Sequence, residues 1–544
     1  LVESASQSTD WALHNLDEFN SRYSPLSEIN RTNVGTLALR WSFETDPAIR
    51  IAEMTPLVIN GVMYFHSGSK LFAVDAMSGA TVWVFDAPEE FTGGGRGPAY
   101  GDGRIYAYGP SIMYAVDAET GTLVESFGRN GMLRIVNEAL TFKYPDTYPP
   151  TIDPTSLGYS MTNPPTYQDG TLYVGLPFSD SLLPGGLLAA VDGATGLIKW
   201  VFNTIPQGPR DAGWEISKDT WSSQERYGGG IWTQPAVDAD AGLIYFNAAN
   251  PSPNYDGSSR KGANLFTNAI IALDIETGEL EWYFQTLHHD IWDWDFPVPG
   301  QLVDLTVDGR EIPAVVQTSK QAFVYAFNRE TGEPIWPIEE RPVPAGNVAG
   351  EWYSPTQPFP TRPAPYELQG LSVDDLMDYT PEHRQMALDA VSDIKLGPIY
   401  TPWVTDTDPD GFRATGMCPS ATGGTNIPGG PVMDPITGIL YVQSRKACSG
   451  GRLSPGTDRD DGSVDGGNGI GVTVVDYGAG GGGGFTAIDG LPIVKPPFGR
   501  ITAIDGTPVA RAKVDPGARW LLRGSRGITW SAEPISGTPW CHKK

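Results

Sequence analysis

Apolar and polar positions alternate along much of the chain in short runs that end at Gly, Asn or Asp, the period-two signature of half-buried strands joined by tight turns. One run recurs. Leu71-Phe-Ala-Val-Asp75-Ala-Met-Ser-Gly79-Ala-Thr-Val-Trp83 returns as Leu188-Ala-Ala-Val-Asp192-Gly-Ala-Thr-Gly196-Leu-Ile-Lys-Trp200, then as Ile271-Ala-Leu-Asp274-Ile-Glu-Thr-Gly278-Glu-Leu-Glu-Trp282 and Tyr325-Ala-Phe-Asn328-Arg-Glu-Thr-Gly332-Glu-Pro-Ile-Trp336, with a tryptophan-less version at 114–121. Each copy reads as an apolar strand, an Asx turn in which glycine supplies positive φ, and a second strand ending on a tryptophan that packs between neighbouring sheets.

Further strand signals at 56–65, 171–175, 242–247 and 438–443 supply more hairpins, and repetition around an axis accounts for them better than a sandwich does. The expected fold is all-β, a β-propeller. Uneven spacing between copies places inserted loops on one face, where substrate is usually met. Two stretches carry no repeat: 350–400, with the one convincing helical pattern at 373–391, and 450–495, with a glycine run at 480–484. They read as insertions in a domain spanning 1–505, and 506–544 as an atypical tail.

Composition agrees with short aromatic strands and many turns: among 544 residues there are 65 Gly, 47 Pro, 16 Trp, 22 Tyr and 20 Phe. The formal net charge of -27 argues against nucleic acid and anionic membrane surfaces as partners. No apolar run of about eighteen residues suggests a membrane span, and the opening Leu1-Val2-Glu3-Ser4 lacks the basic and apolar regions of a signal peptide, so the chain is expected to be soluble and already processed. Cys418, Cys448 and Cys541 show neither CxxC nor CxxCH spacing, so any haem belongs to a partner. Cys418 and Cys448 flank one Gly/Pro-rich segment, open to two readings: a pair formed in an oxidising compartment, or two unrelated buried thiols.

The densest chemistry is His288-His289-Asp290-Ile291-Trp292-Asp293-Trp294-Asp295. Carboxylates fixed beside aromatic walls suit a general base or a hard-metal site; the plain alternative is core tryptophans and solvated acids.

From about Trp11 to Asp505 the chain resembles the pyrroloquinoline quinone (PQQ) dependent alcohol and sugar dehydrogenases. The resemblance rests on Tyr23-Ser-Pro-Leu-Ser-Glu-Ile-Asn30 with Leu37-Ala-Leu-Arg-Trp41, on Glu333-Pro-Ile-Trp336-Pro-Ile-Glu-Glu-Arg-Pro-Val-Pro344, and on Ser354-Pro-Thr-Gln-Pro-Phe-Pro360. It implies an eight-bladed propeller, here with an incomplete or atypical final blade, because the repeat fades after Asp505. It also implies a catalytic base at Asp293, a metal-binding Asn250, and Trp232 as the floor under the flat quinone. Lys320 would stand beside the reactive quinone oxygens, and Arg96 would face the cofactor's carboxylates. Glu53, Thr162 and Asn426 match further cofactor contacts. Asp180 and Asp295 are candidate metal ligands, and Cys418–Cys448 a disulfide. The cation would be calcium, with a lanthanide or magnesium as alternatives, since Asp295 does not decide the metal.

The implied activity is oxidation of an alcohol, sugar or polyol to an aldehyde or ketone in the periplasm, with electrons passed to a separate cytochrome c or quinone. Methanol-type members carry an adjacent cysteine pair where this chain has Gly93-Gly94-Gly95, which leans away from methanol. The competing readings are a non-catalytic propeller scaffold, which needs no clustered Arg96, Asn250, Asp293 and Lys320, and a hydrolase, for which no serine-histidine or paired-acid signature stands out.

Overall fold

The computed structural model describes residues 10–46, 54–89, 96–153, 159–176, 183–224, 226–405, 407–421, 423–426, 429–455, 470–475, 488–505 and 513–514. Among them are five four-stranded sheets and one three-stranded sheet in which strands adjacent in order pair antiparallel. Blade 1 holds Leu57–Ile59, Val62–Ser67, Lys70–Asp75 and Thr81–Asp86, and blade 2 holds Ala99–Gly101, Arg104–Tyr108, Met113–Asp117 and Met132–Leu133. Thr166–Gln168, Thr171–Leu176, Leu187–Asp192 and Ile198–Asn203 form blade 3; Ala236–Asp238, Leu243–Ala248, Ala269–Asp274 and Leu280–Gln285 form blade 4. Blade 5 is Gln301–Val307, Arg310–Thr318 and Val324–Asn328, and blade 6 is Val432–Asp434, Ile439–Arg445, Gly499–Asp505 and Lys513–Val514. The first strands of blades 2 and 3, 3 and 4, and 4 and 5 lie against one another, which sets these blades around an axis. These six are the sheets of three or four antiparallel strands among the described residues, and the fold is the expected β-propeller.

The repeat explains how blades join. In each copy the Asx side chain accepts the backbone N–H three residues on, from Asp75 and Ser78 at 2.7 Å to Asn328 and Thr331 at 3.1 Å. The glycine that follows sits at φ of 70–75° in all five copies, as Gly79 does at 73°, and in four of them a side chain there would collide with an indole. A Cβ on Gly79 would come within 2.7 Å of Trp41, one on Gly121 within 2.6 Å of Trp83, one on Gly278 within 2.6 Å of Trp200 and one on Gly332 within 2.7 Å of Trp282. Each indole N–H also donates to a carbonyl of the same turn: Ala76 and Ala118 at 3.0 Å, Ile275 and Arg329 at 2.9 Å. The tryptophan of one outer strand therefore locks onto the turn of the next blade. Trp41, outside the recognised copies, takes the same role on blade 1. Trp336, from the last copy, packs against the core shared by blades 5 and 6.

The region between blades 5 and 6 carries a hairpin of Ile338–Pro342 and Thr356–Pro360, then helix Pro381–Ala390. The expected helix at 373–391 is shorter than its pattern: Val373–Asp375 is a separate 3-10 turn, and the helix starts at Pro381 because Thr380 caps it, Oγ1 accepting the His383 N–H at 3.1 Å. Helix Ile135–Lys143 lies outside the elements the sequence pattern predicts. Strands Ile394–Lys395, Val404–Thr405, Ala414–Met417, Ser449–Pro455 and Ile470–Val475 make a mixed sheet, its last two strands lying in the connection between the second and third strands of blade 6. A Cys418–Cys448 disulfide ties the two parts of this sheet together. Cys541, the glycine run at 480–484 and the tail beyond 505, apart from Lys513–Val514, lie outside the described residues. Among the described residues no helix is long and apolar enough to cross a membrane.

Residues 11–22 form a strap across the innermost strands. Trp11 exchanges hydrogen bonds with Val58 at 2.7 and 3.0 Å in blade 1, and the N–H groups of Tyr100, Val237, Leu302 and Met433 donate to the carbonyls of Ala12, Glu18, Phe19 and Ser21 at 3.0, 2.8, 3.0 and 3.2 Å. Every one of these partners is the second residue of an innermost strand, in blades 1, 2, 4, 5 and 6.

Candidate active site

The loops that enter the innermost strands of blades 4 and 5 bring Trp232, Asp293 and Asp295 into one buried network with Lys320, which follows blade 5's second strand. Gly228–Gly230 lead into Trp232 and pair with the segment around Asn250: Gly229 N–H donates to the Asn250 carbonyl, and Ala249 N–H to that of Gly230, at 2.9 and 2.8 Å. The Trp232 indole N–H donates to Asp295 Oδ2 at 2.6 Å, a charge-assisted bond that fixes the plane of the ring. Lys320, at the end of blade 5's second strand, reaches both acids: its Nζ is 2.5 Å from Asp295 Oδ1 and 3.1 Å from Asp293 Oδ1, and 5.9 Å from the Trp232 ring centre. All four side chains are at most 6% exposed. Burial opposes the charge on Lys320, but Asp293 and Asp295 outweigh it and raise its pKa above the ordinary lysine value.

The 288–295 segment achieves this by dividing its residues between two tasks. Asp290 accepts the N–H groups of Trp292 and Trp294, both at 2.8 Å, and the Asn268 amide at 2.9 Å, and so shapes the loop. Trp292 and Trp294 stack 5.3 Å apart and donate to the carbonyls of Thr401 and Ser420 in the region between blades 5 and 6. With the tryptophans turned that way, the alternate positions 293 and 295 face Lys320. Asp293 stands at φ 60°, the left-handed region, which aspartate tolerates better than most residues. The two histidines are structural: His289 Nε2 binds Glu351 at 2.9 Å, and His288 Nε2 binds Glu340 at 3.1 Å.

The remaining expected residues cluster around this core. The Arg96 guanidinium lies 5.1 Å from the Trp232 ring centre and donates to the carbonyls of Thr162 and Trp232 at 3.4 and 3.3 Å. Tyr108, which the sequence did not single out, joins the same pair: its hydroxyl accepts the Arg96 N–H at 3.0 Å and donates to the Thr162 carbonyl at 3.2 Å. Asn426 donates to Thr318 Oγ1 at 3.4 Å, and neighbouring Gly424 packs so closely on Lys320 that a Cβ would come within 2.5 Å of the lysine's own. Glu53 and Asp180 lie outside the described residues.

Asn250 Oδ1, Asn426 Oδ1 and Thr162 Oγ1 are buried without a hydrogen-bond partner among the described residues. Each such atom costs about 1–3 kcal/mol unless something else satisfies it. Two carboxylates against one lysine leave a surplus negative charge beside them. Unsatisfied polar atoms, a flat aromatic face and surplus negative charge fit a planar polar guest together with a hard cation, which takes oxygen ligands. Among the described residues no three His, Cys, Asp or Glu side chains converge as a metal set, so a cation here would rest on Asp293, Asp295 and the amide oxygen of Asn250.

An axial cavity of about 250 Å³ adjoins the site, lined by Trp232 and Arg96. Residues two or three positions ahead of each innermost strand complete its wall: Thr55, Arg96, Pro164, Gln234, Pro299 and Gly429, one from every blade.

Comparison with known proteins agrees with this architecture. Over residues 11–512 the sequence matches the PQQ family, glucose/ethanol/alcohol dehydrogenase, β-propeller domain, and the chain belongs to that family. It is 29% identical over 384 residues to quinoprotein glucose dehydrogenase of Escherichia coli (strain K12), covering 64% of this chain and 46% of that protein. Against quinate/shikimate dehydrogenase (quinone) of Acinetobacter baylyi it is 27% identical over 490 residues, covering 82% of this chain and 57% of the relative. Against the dehydrogenase subunit of alcohol dehydrogenase (quinone) of Gluconacetobacter polyoxogenes it is 33% identical over 353 residues, covering 60% and 45%. The chain thus spans about half the length of these relatives. In fold it is similar to a europium-containing methanol dehydrogenase, with a TM-score of 0.64 at 21% identity over 93% of this chain and 78% of that one. Quinohemoprotein alcohol dehydrogenase from Comamonas testosteroni gives the same TM-score of 0.64 at 20% identity, over 94% and 68%.

Proposed function

We propose that the chain is the catalytic propeller of a PQQ-dependent dehydrogenase that oxidises sugars, polyols or other multifunctional alcohols to aldehydes or ketones. The observation that carries this reading is the Lys320 ammonium held between Asp293 and Asp295 while Asp295 anchors the Trp232 indole. A scaffold has no use for a buried, charged triad beside an aromatic platform.

The quinone, when bound, supplies an ortho-dicarbonyl that accepts two electrons and the hydrogen leaving the alcohol carbon. The chain's residues do the rest. Trp232 offers a flat face kept in plane by Asp295. Asp293, ion-paired and therefore anionic, takes the hydroxyl proton at a carboxylate oxygen as general base. Lys320 holds its proton and directs N–H donors at oxygen atoms on which negative charge develops. Arg96 would hold the cofactor's carboxylates, with Glu53, Thr162 and Asn426 as further polar contacts. Asn250, Asp293 and Asp295, with Asp180, would supply the oxygen donors for calcium, a lanthanide or magnesium. The domain runs through 1–505, with 506–544 as a tail of different character. Electrons would leave for an external cytochrome c or quinone, and the setting is the periplasm.

The test is dye reduction by protein reconstituted with PQQ and calcium, then with PQQ and a lanthanide, over a panel of alcohols, sugars and polyols. Turnover of at least one polyhydroxylated substrate is expected; no turnover with any metal and substrate, together with loss of quinone absorbance on dialysis, would defeat the reading.

A further inference from the structure

The axial cavity carries chemistry that the quinone reading leaves unused. Asp293, Asp295, Lys320, Asn250 and Asn426 do not line it, whereas His14, Asn15 and Arg22 of the strap do. Trp232 borders the cavity and, at its indole N–H edge, meets Asp295.

The lining is rich in unused donors. Arg22 makes one side-chain hydrogen bond, from Nε to Asn15 Oδ1 at 2.6 Å, and no ion pair among the described residues. Its guanidinium lies flat against Gly430, where a Cβ would come within 2.7 Å of Cζ. Thr233 and Gln234 are 5% and 2% exposed, and Thr233 Oγ1 and Gln234 Nε2 have no hydrogen-bond partner among the described residues. The Gln234 carbonyl oxygen already accepts the Asn15 N–H at 3.2 Å, which leaves the amide N–H₂ as the free end. His14 engages the Arg96 carbonyl through Nδ1 at 2.7 Å. Among the described residues no carboxylate lines it, in a chain whose formal net charge is -27. A planar guanidinium fork, a hydroxyl and an amide form a complement to a planar oxyanion. At about 250 Å³ the space exceeds the roughly 30 Å³ share of a single water several-fold, so a carboxylate fits with one or two waters.

We propose that this cavity binds a small planar oxyanion of carboxylate size, held by Arg22, Thr233 and Gln234 between the strap and Trp232. Bound there, the anion links the strap to blade 4's entry loop and braces the ring on which the quinone would lie.

Calorimetric titration with formate at constant ionic strength tests this, on the full chain as purified and after loading with PQQ and calcium, with tetrahedral sulfate as the shape control. The expected result is saturable one-site binding of formate in both forms, weaker binding of sulfate, and a loss of affinity of at least about tenfold in Arg22→Gln. Thr233→Val preserves side-chain shape and is expected to weaken formate as well; it decides the matter if Arg22→Gln does not fold. Absence of saturable binding, equal affinity for sulfate, or unchanged affinity in both variants overturns the proposal. Formate binding abolished by PQQ loading overturns it too, because the cavity would then belong to the quinone site.

Discussion

The Trp232 indole N–H donates to Asp295 Oδ2 at 2.6 Å, so the plane of the aromatic platform is set by the same carboxylate that Lys320 holds at 2.5 Å. Asp295→Asn removes the charge from that bond. A hydrogen bond to a charged group contributes about 1.5–3 kcal/mol, so PQQ retention is expected to weaken by about 10- to 100-fold. Quinone absorbance after equilibrium dialysis measures it, and unchanged retention would separate Asp295 from the platform.

Lys320→Met leaves Asp293 and Asp295 buried without their counter-charge. Removing one partner of a buried ion pair costs about 3–5 kcal/mol, so the urea midpoint should fall accordingly in the metal-free protein. Calcium should restore part of that loss, because a cation can neutralise the same two carboxylates. Turnover should stay low even then, since the N–H donors are gone.

Much of the architecture is written locally. The aspartate, the Ser or Thr and the glycine of each turn lie within a few residues of one another, and so do the strands they join, which is why the repeats could be read from the chain directly. What the pattern could not show is long-range pairing. Trp41 docks on the turn of Gly79 across a gap of 38 positions, and the strap at 11–22 satisfies backbone groups as distant as Met433. Helix Ile135–Lys143 escaped notice because its apolar residues, Ile135, Val136, Ala139 and Leu140, fit barely two turns. At the site, resemblance to a family supplied residue identities, but the direct contact of Lys320 with Asp295, the part of Tyr108 and the cavity under Trp232 emerge only when blades 2, 4 and 5 are brought together.

The docking tryptophans make a stability prediction that is independent of chemistry. Trp282 is 8% exposed and packs on the turn of Gly332, so Trp282→Ala should cost about 3–5 kcal/mol. Gly332→Ala should also destabilise, because the added methyl would meet the indole at 2.7 Å in a turn at φ 73°. Denaturant unfolding of the two single variants and the double variant measures the coupling; simple additivity would show that the ring and the turn act separately.

Two buried histidines give a pH dependence. Burial lowers the pKa of His66 to about 4 and, with nearby Arg22, that of His14 to about 3. Below the ordinary value of 6.5 the unfolded chain takes up protons that the folded chain refuses. The stability secured by these neutral rings is therefore complete above about pH 6.5 and is lost as pH falls toward 4 for His66 and 3 for His14. Each ring contributes a slope of about 1.4 kcal/mol per pH unit in that window. Urea unfolding between pH 7 and pH 4 should show it, and His66→Leu should make the curve shallower; an unaltered slope would mean that His66 is not the group titrating.

Paired measurement of quinone retention and turnover in Asp293→Asn tests the role of Asp293 as base most directly. The variant, reconstituted with PQQ and calcium, is expected to keep the quinone absorbance after dialysis but to reduce dye at least about 100-fold more slowly than the parent, as loss of a general base requires. Turnover near the parental rate with the quinone still bound would contradict it.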